Sequence, residues 1–371
     1  MDKSEKVWLS PPYLHGNEEK IIKNILREGW IAPNGPQNQL FEQAISRYCR
    51  TSQCLTTITG TAAIHLALKA IGIKKGDIVF VPAFSFAATV NPVFYLEAIP
   101  HYIDCEPRSW GMDPDILEEE LQKSKSNKKL PKAIVIVHAY GQVAEIEHIC
   151  AIADHFKIPV IEDAAAAMGS TLFEKQAGTF GIAGVFSFNG NKIITTSQGG
   201  ALISDDEKLI SDAKTLSSQA KIPGQGFNYS SIGYNYTLSN VLATIGLSQI
   251  QNIEFHISQK RKIFELYRKE LEPLGVKFLE EPEDNYWNRW LTNAWFRTST
   301  YEKVKMALNI NNIDFREVWK PLPKISHYQS NAYSTHKVSD YINEHWLSLP
   351  CGVGITESDL EKVIQIIKQN L

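Results

Sequence analysis

The sequence predicts an α/β protein with a doubly wound, mostly parallel mixed sheet and a smaller C-terminal α+β domain. From about residue 55 to 205, short β-branched runs alternate with helical patterns, which is typical of parallel strands joined by crossover helices. The chain also has 371 residues, more than the roughly 250 to 300 at which a single core stops growing. We therefore expect a large domain over residues 1–250 and a small one over residues 251–371.

Individual elements of the large domain can be predicted in order. The helix TAAIHLALKAIG has apolar residues at i, i+3 and i+4 and begins near Gly60-Thr61. Four apolar runs follow as strand candidates: DIVFVPA, AIVIVHAY, IPVIEDAA and AGVFSFNG. Ligands of such sheets bind at the carboxyl ends of strands, so Phe86, Asp163 and Lys192, which follow these runs, are candidate site residues.

The second half of the chain has a different pattern. After Ser239 a long helical stretch, SNVLATIGLSQIQNIEFHISQKRKIFELYRKELEPLG, is predicted to bridge the two domains. The run AWFRTS, several short helices and the terminal TESDLEKVIQIIKQNL are typical of a small α+β domain.

Composition argues against several classes of protein. A net charge of -3 provides no basic field for nucleic acid, and no apolar run reaches the roughly 18 to 20 residues that span a bilayer. The N-terminal MDKSEKVWLSPP lacks the apolar core of a signal peptide, so we expect a cytoplasmic protein. Five scattered cysteines without a CxxC pair predict neither disulfides nor a thiolate zinc site, and we expect no metal.

Lys192 is the candidate nucleophile. It lies in VFSFNGNKIITTSQGGALIS, between a strand-like run and the restart of a strand. A lysine amine attacks an aldehyde only when it is neutral, and desolvation lowers its pKa towards that state. An exposed lysine in a polar turn is the alternative, because most lysines are exposed.

Two further residues could bind an aromatic cofactor ring. Asp163 ends the strand IPVIED and precedes small residues, so its carboxylate could bond a pyridinium nitrogen. It could equally cap a helix, a role that Asp often has. Phe86 in PAFSFAAT could stack on the ring, or it could belong to the core.

An anion site is predicted where the first helix begins. The backbone N–H groups of Gly60, Thr61 and Ala62 and the helix dipole would favour a phosphate there. Ser187, five residues before Lys192, could add a hydroxyl donor. The chain order of anion site, ring stacker, Asp and then Lys is more specific than any one of these features.

That order, together with TGTAAIHLAL, VPAFSFAAT, IEDAAAAMGS, SFNGNKIITTSQGGALIS and GYNYTLSN, closely resembles the DegT/StrS family of nucleotide-sugar aminotransferases. The resemblance runs from WIAPNGPQNQLFE to LPCGVGITESDL, nearly the whole chain. It implies a pyridoxal-phosphate (PLP) dependent transferase of fold type I, the aspartate-aminotransferase type, acting as a homodimer.

The resemblance also implies residue roles. Lys192 would hold PLP as a Schiff base and shuttle a proton, Asp163 would bond the pyridinium nitrogen and Phe86 would stack on the ring. The phosphate would be bound by Thr61, Ala62, Ser187 and the Asn235 of the partner subunit. A related branch has histidine in place of this lysine and catalyses dehydration, so Lys192 favours transamination.

Three positions depart from the family pattern. Ala166 stands where Gln, His or Glu is usual near the ring hydroxyl, Gln198 replaces an acidic residue, and Thr237 replaces the arginine of GYNYR. We expect these changes to affect contacts around the cofactor and not the core chemistry.

Within the family, NGNKIITTS, GYNY, NRW and REVWKPL most resemble the branch that aminates UDP-4-keto-6-deoxy-N-acetylglucosamine, with glutamate as amino donor. Alternatives are 3-amination of a dTDP-keto sugar, a dehydratase and a PLP-binding regulatory protein without turnover. A Rossmann oxidoreductase lacks its GxGxxG motif here. The resemblance implies a nucleotide-sugar pocket, although ordinary surface or packing roles are as plausible for its members: Asn34, Arg289, Arg316, Trp319, Lys320 and His327.

Overall fold

A computed structural model describes residues 6–222, 224–329 and 332–371 of the chain. Its strands are β1 Gln53–Thr57, β2 Ile78–Pro82, β3 Ile99–Ile103, β4 Ala133–Val137, β5 Val160–Asp163, β6 Thr171–Leu172, β7 Lys175–Gln176, β8 Ala183–Ser187, β9 Gly200–Ser204, β10 Lys277–Phe278, β11 Asn285–Tyr286, β12 Thr292–Trp295, β13 Arg316–Glu317, β14 Tyr333–Ser334 and β15 Trp346–Leu349. Its α-helices are α1 Glu18–Glu28, α2 Pro36–Cys49, α3 Gly60–Ala70, α4 Asn91–Tyr95, α5 Pro114–Ser126, α6 Ile146–Phe156, α7 Glu207–Ser217, α8 Asn240–Ile250, α9 Ile253–Leu271, α10 Thr298–Ile310, α11 Val338–Ile342 and α12 Glu357–Lys368.

The large sheet has the strand order β1-β9-β8-β5-β4-β2-β3-β14. Strand β9 runs antiparallel to both of its neighbours, and the other seven strands point in one direction. The predicted mostly parallel, mixed sheet is thereby confirmed. Because parallel strands need crossover connections, helices cover both faces of this sheet.

Alternate residues of the central strands pack into two separate hydrophobic clusters. In β4, Ile134 and Ile136 contribute to one cluster, whereas Ala133 and Val135 contribute to the other. Side chains of a strand alternate between its faces, so the two clusters lie on opposite sides of the sheet. This double burial explains why the predicted strands are continuous apolar runs without polar alternation.

The predicted elements of the large domain are present. Strands β2, β4, β5 and β8 coincide with the four apolar runs, and α3 begins at Gly60 as expected. The helix start is fixed by Thr59, whose hydroxyl accepts a hydrogen bond from the Ala62 N–H at 3.0 Å. A threonine N-cap of this kind satisfies one of the amides left open at a helix start.

The long helical stretch after Ser239 is two helices, not one. α8 ends at Ile250 and α9 starts at Ile253, with Asn252 between them at φ -113° and ψ 12°. The side chain of Asn252 donates to the Ser248 carbonyl at 2.9 Å and so satisfies a carbonyl at the end of α8. Asparagine side chains compete with helical backbone bonds in this way.

The C-terminal part forms a four-stranded antiparallel sheet, β10-β12-β15-β13, with α10 and α12 packed together. Strand pairings connect it to the rest of the molecule: β14 joins the large sheet beside β3, β11 pairs with β6 in a small sheet β11-β6-β7, and Val7 pairs with Ile313. The division of domains at residue 250 stays a prediction. In the described parts of the chain, no helix is both long and apolar enough to cross a bilayer.

Candidate active site

One edge of the large sheet collects most of the predicted site residues. The parallel strands β1, β2, β4, β5 and β8 all end there, and the residues that follow them lie at the same edge. Gly60 follows β1, Phe86 follows β2, Asp163 ends β5 and Lys192 follows β8. This arrangement arises because the strands are parallel, and it is where α/β sheets bind ligands.

Lys192 lies in the connection between β8 and β9 and is half-buried. Its Nζ is 4.0 Å from the ring centroid of Trp290. Burial lowers the pKa of this amine to about 8, and the Asp163 carboxylate acts in the opposite direction. The alternative of an exposed lysine therefore does not apply, and the amine can be neutral near physiological pH.

Asp163 is buried at the end of β5. Its Oδ2 accepts a hydrogen bond from the Thr89 hydroxyl at 2.5 Å, and its Oδ1 accepts one from the Ala165 N–H at 3.0 Å. Burial raises the pKa of the carboxyl group, while these two bonds, Lys192 and His138 lower it. Residues 164–170 form turns, so Asp163 caps no helix.

A buried pair lies next to Asp163. His138 Nδ1 accepts the Ala144 N–H at 3.1 Å, so its Nε2 carries a proton and donates to Glu162 at 2.8 Å. Glu162 also accepts the N–H groups of Gly178, Phe180 and Gly181 at 2.6 to 2.8 Å. The four donors satisfy a fully buried carboxylate and fix the end of β5 that carries Asp163.

The start of α3 lies against the end of β8. A Cβ added to Gly60 would be 3.2 Å from both the Phe186 carbonyl oxygen and the Ser187 Cβ, so the Ser187 side chain adjoins the helix start. The Ala62 N–H is already bonded to Thr59, and the amides of Gly60 and Thr61 have no partner within the helix. These two amides and the Ser187 hydroxyl are donors suited to an anion.

A row of aromatic rings extends from Phe86 to Trp290, the ring that contacts Lys192. Phe86 is 60% exposed, which argues against a core role, and its ring lies 6.5 Å from Trp319. Trp319 stacks on Tyr140 at 4.2 Å, and Tyr140 stacks on Trp290 at 5.9 Å. The Tyr140 hydroxyl also accepts a hydrogen bond from the backbone N–H of Trp319 at 3.0 Å. The row gives the site an apolar wall beside the reactive amine.

Arg289 is directed into the protein interior. Its guanidinium pairs with Glu281 at 3.1 Å and lies 3.6 Å from the Phe264 ring centroid and 4.0 Å from that of Trp287. Burial lowers its pKa to about 10, and Glu281 acts in the opposite direction. These contacts support a packing role, and substrate binding by Arg289 stays a prediction.

The remaining predicted pocket residues and Asn235 have exposed side chains: Asn34, Asn235, Arg316, Lys320 and His327. Of the three residues that differ from the family pattern, Ala166 and Thr237 are buried and Gln198 is exposed. The Thr237 hydroxyl donates to the Ser217 carbonyl at 3.4 Å, so it fills a packed position.

Three site residues were not identified from the sequence. Thr89 follows Phe86 by three residues, and Tyr140 ends the run AIVIVHAY, so a search of all strand ends would have included both. Trp290 belongs to the NRW motif, but it comes from a distant segment, and no local pattern connects it with Lys192.

Comparison with known proteins identifies the family. A model of the DegT/DnrJ/EryC1/StrS aminotransferases matches residues 12–368. The chain belongs to this family. It is 40% identical over 370 residues to EpsN of Bacillus subtilis (strain 168), which is named as a pyridoxal phosphate-dependent aminotransferase, and the match covers 98% of this chain and 95% of EpsN. It is 31% identical over 371 residues to a GDP-perosamine synthase of Caulobacter vibrioides, with 99% and 98% of the two chains covered.

Solved structures confirm the fold of this DegT-family chain. A DegT DnrJ EryC1 StrS aminotransferase from Brucella abortus superposes with a TM-score of 0.90 at 27% identity and covers 95% of both chains. The PLP form of the sugar aminotransferase Spr1654 from Streptococcus pneumoniae gives 0.89 at 22% identity, with 98% and 99% covered. The predicted fold type, the PLP cofactor and the sugar aminotransferase activity are thereby confirmed for the DegT-family chain.

Proposed function

We propose that this DegT-family enzyme transfers the amino group of glutamate to C4 of a nucleotide-linked 4-keto-6-deoxy sugar, with UDP-4-keto-6-deoxy-N-acetylglucosamine as the favoured acceptor. The observation that carries the proposal is the Lys192 amine, whose pKa burial lowers to about 8 at the same sheet edge as Asp163. The resemblance of NGNKIITTS, GYNY, NRW and REVWKPL to the UDP-sugar branch supports the choice of acceptor.

The residues at the sheet edge fit PLP. When bound, PLP supplies an aldehyde and an electron-withdrawing ring. The free amides at the start of α3 and the Ser187 hydroxyl would hold its phosphate. The buried Asp163 carboxylate would bond the ring nitrogen, and the exposed Phe86 ring would stack on the pyridine face.

Lys192 has two tasks in this proposal. It would bind the cofactor through its amine and, once displaced, would carry a proton between a carbon of the cofactor and a carbon of the sugar. Both tasks require an amine that changes protonation near neutral pH, and burial provides this. Burial raises the pKa of Asp163, and Thr89 opposes this by donating to its Oδ2, which favours the ionised carboxylate.

The sugar nucleotide is proposed to bind along the aromatic row. Trp319 offers a ring next to Phe86, and Arg316 and Lys320 on the same segment offer exposed cations for a diphosphate. Asn34 and His327 are exposed and would complete the pocket from other segments.

We also propose a homodimer in which the Asn235 of one subunit reaches the phosphate site of the other. The segments near Asn235 carry large apolar side chains in the open: Phe227 is 84% exposed and Ile232 is 85% exposed, and Trp30 and Ile31 are about half exposed or more. Large exposed apolar and aromatic side chains are enriched at protein interfaces. A cytoplasmic location stays a prediction.

A GDP-linked 4-keto sugar is the second candidate acceptor, because GDP-perosamine synthases are among the relatives at 31 to 32% identity. Amination at C3 of a dTDP-keto sugar and PLP binding without turnover are the further alternatives.

The experiment is incubation of the purified enzyme with UDP-, GDP- and dTDP-linked keto sugars and with glutamate or glutamine, with mass detection of amino sugars. We expect an amino product from the UDP-4-keto-6-deoxy sugar and glutamate, and NMR of the product should give nitrogen at C4. A product from the GDP sugar alone would favour the second candidate, and no product from any sugar would contradict the proposal.

A further inference from the structure

Trp290 contacts both the side chain and the backbone of the Lys192 segment. Its ring centroid lies 4.0 Å from Lys192 Nζ, and its indole N–H donates to the Asn191 carbonyl at 2.6 Å. An amine at this distance from an indole, once protonated, is attracted by the negative face of the ring. One residue therefore holds both the amine and the peptide that carries it.

Other contacts hold the backbone and the ring of Trp290. Lys260 is fully buried on α9, and its Nζ donates to the Trp290 carbonyl at 2.9 Å, to the Cys351 carbonyl at 3.0 Å and to the Ser10 hydroxyl at 3.1 Å. Tyr140 stacks on the ring with an interplanar angle of 27°. Because Trp290 is only 4% exposed, its ring has little freedom to move away from Lys192.

We propose that the face of Trp290 is the resting position of the Lys192 ammonium whenever this lysine is not bound to the cofactor. The proposal rests on the function proposed above. Burial disfavours the charged amine, whereas the indole favours it and keeps it at a fixed place. Trp290 is thus a positioning residue with two effects on the freed lysine. It raises the fraction of the amine that is protonated, and it holds the amine within the site, where the proton is to be returned.

Titratable groups lie next to Lys192 or next to the residues that neighbour it, and they come from several elements. They are Asp163 and His138 at the ends of β5 and β4, Tyr140 beyond β4, and His256 and Lys260 on α9. His256 bonds the Ile193 carbonyl through Nδ1 and the His15 ring through Nε2, each at 2.7 Å, and Tyr140 is kept neutral by burial. Of these groups, Tyr140 alone stacks on the indole ring, and it carries no charge in either variant, so the effect of the indole on the amine can be measured separately.

The test measures the protonation of Lys192 in the cofactor-free protein. Trace acetylation with acetic anhydride from pH 6 to 11, read by mass spectrometry of the peptide containing Lys192, gives a midpoint for this amine. Trp290→Leu removes the aromatic face and keeps the site apolar, whereas Trp290→Phe keeps an aromatic face and removes the indole N–H. We expect the midpoint to fall by about 0.5 to 1.5 pH units in W290L and to stay near wild type in W290F.

An unchanged midpoint in W290L, or an equal fall in both variants, would overturn the proposal. If W290L does not fold, fluorinated tryptophan provides a second measurement, because fluorine weakens the negative face with little change in shape. All eight tryptophans are then replaced, so W290F serves as the control. Fluorination should lower the Lys192 midpoint in the wild-type chain and leave the midpoint of W290F unchanged. An equal change of midpoint in the two chains would refute the inference. Since no sugar or cofactor is used, this result is independent of whether the chain aminates the proposed acceptor.

Discussion

At the scale of single residues, the half-buried Lys192 and the fully buried Lys260 differ in their contacts. Burial lowers the pKa of both Lys192 and Lys260. The three hydrogens of the Lys260 ammonium are donated to three oxygen atoms, so this lysine is engaged in structure. Lys192 faces an aromatic ring and a carboxylate and keeps an amine that can react. Contacts, and not residue type or burial alone, separate the lysine that we propose as catalytic from the structural one.

The pH dependence of cofactor capture follows from this environment. Only the neutral amine attacks an aldehyde, and burial moves the midpoint of Lys192 from the ordinary value of about 10.4 down to about 8. The rate at which cofactor-free protein captures PLP should therefore rise with pH up to about 8 and level off above it. Stopped-flow absorbance measures the rate of capture. The rate at which Nα-acetyl-lysine, which keeps its side-chain amine, captures PLP in the same buffers corrects for ionisation of PLP itself. A rate that rises steadily to about pH 10 would mean that Lys192 is an ordinary exposed lysine.

Thr89→Val tests the role of the hydroxyl next to Asp163. The substitution keeps the shape and removes the donor, so the Asp163 pKa should rise and the carboxylate should hold a protonated ring less well. A hydrogen bond to a charged group contributes about 1.5 to 3 kcal/mol, so we expect roughly a 10- to 100-fold loss in kcat or in PLP affinity. Cofactor titration and steady-state kinetics measure both. Thr89→Ser should retain most of the function, and equal losses in the two variants would point to packing instead.

At the scale of elements, the sequence is informative wherever a pattern is local. The strands β2, β4, β5 and β8 are buried on both faces, so each is an apolar run that ends at a recognisable position. The break between α8 and α9 was not predicted, because apolar periodicity continues through it and a single side chain, Asn252, ends the first helix.

Gly200→Ala should disturb the phosphate site through contact between two elements. A Cβ at Gly200 would overlap the Gly60 nitrogen and the Thr59 carbonyl carbon, which are backbone atoms at the start of α3. We expect a loss of about 1 to 3 kcal/mol in the free energy of unfolding and weaker PLP binding, measured by urea unfolding and cofactor titration. Gly190→Ala in the same connection is the control, because its Cβ would meet only Pro12, at 3.6 Å. Equal stability of the two variants would contradict this packing.

At the scale of the whole molecule, the site combines predictable and unpredictable parts. Phe86, Asp163 and Lys192 could be predicted because parallel strands bring their carboxyl ends to one edge. Trp290 lies about a hundred residues from Lys192 in the chain, and its position depends on the packing of the C-terminal part. The neighbouring Arg289 shows the opposite case. Its motif predicted a place in the nucleotide-sugar pocket, but its guanidinium pairs with Glu281 in the protein interior.

Sharing of active sites between subunits can be tested by complementation. Lys192→Ala and Asn235→Asp should each be inactive or strongly impaired as homodimers, because one lacks the amine and the other repels the phosphate. A dimer with one subunit of each kind contains one intact site, so mixing and refolding the two variants should restore about a quarter of wild-type activity. The measurement is transaminase activity after mixing, and each variant refolded alone is the control. No recovery in dimers shown by mass spectrometry to be mixed would mean that each site is built from a single subunit.

The identity of the lysine that carries PLP tests the central claim most directly. Reduction of the holoenzyme with borohydride fixes the cofactor to its lysine, and peptide mass mapping locates it. We predict that the added mass lies on the peptide containing Lys192 and not on that containing Lys260, and that Lys192→Ala loses both the label and transamination. Labelling of Lys260 or another lysine, or turnover at the wild-type rate in Lys192→Ala, would contradict the account.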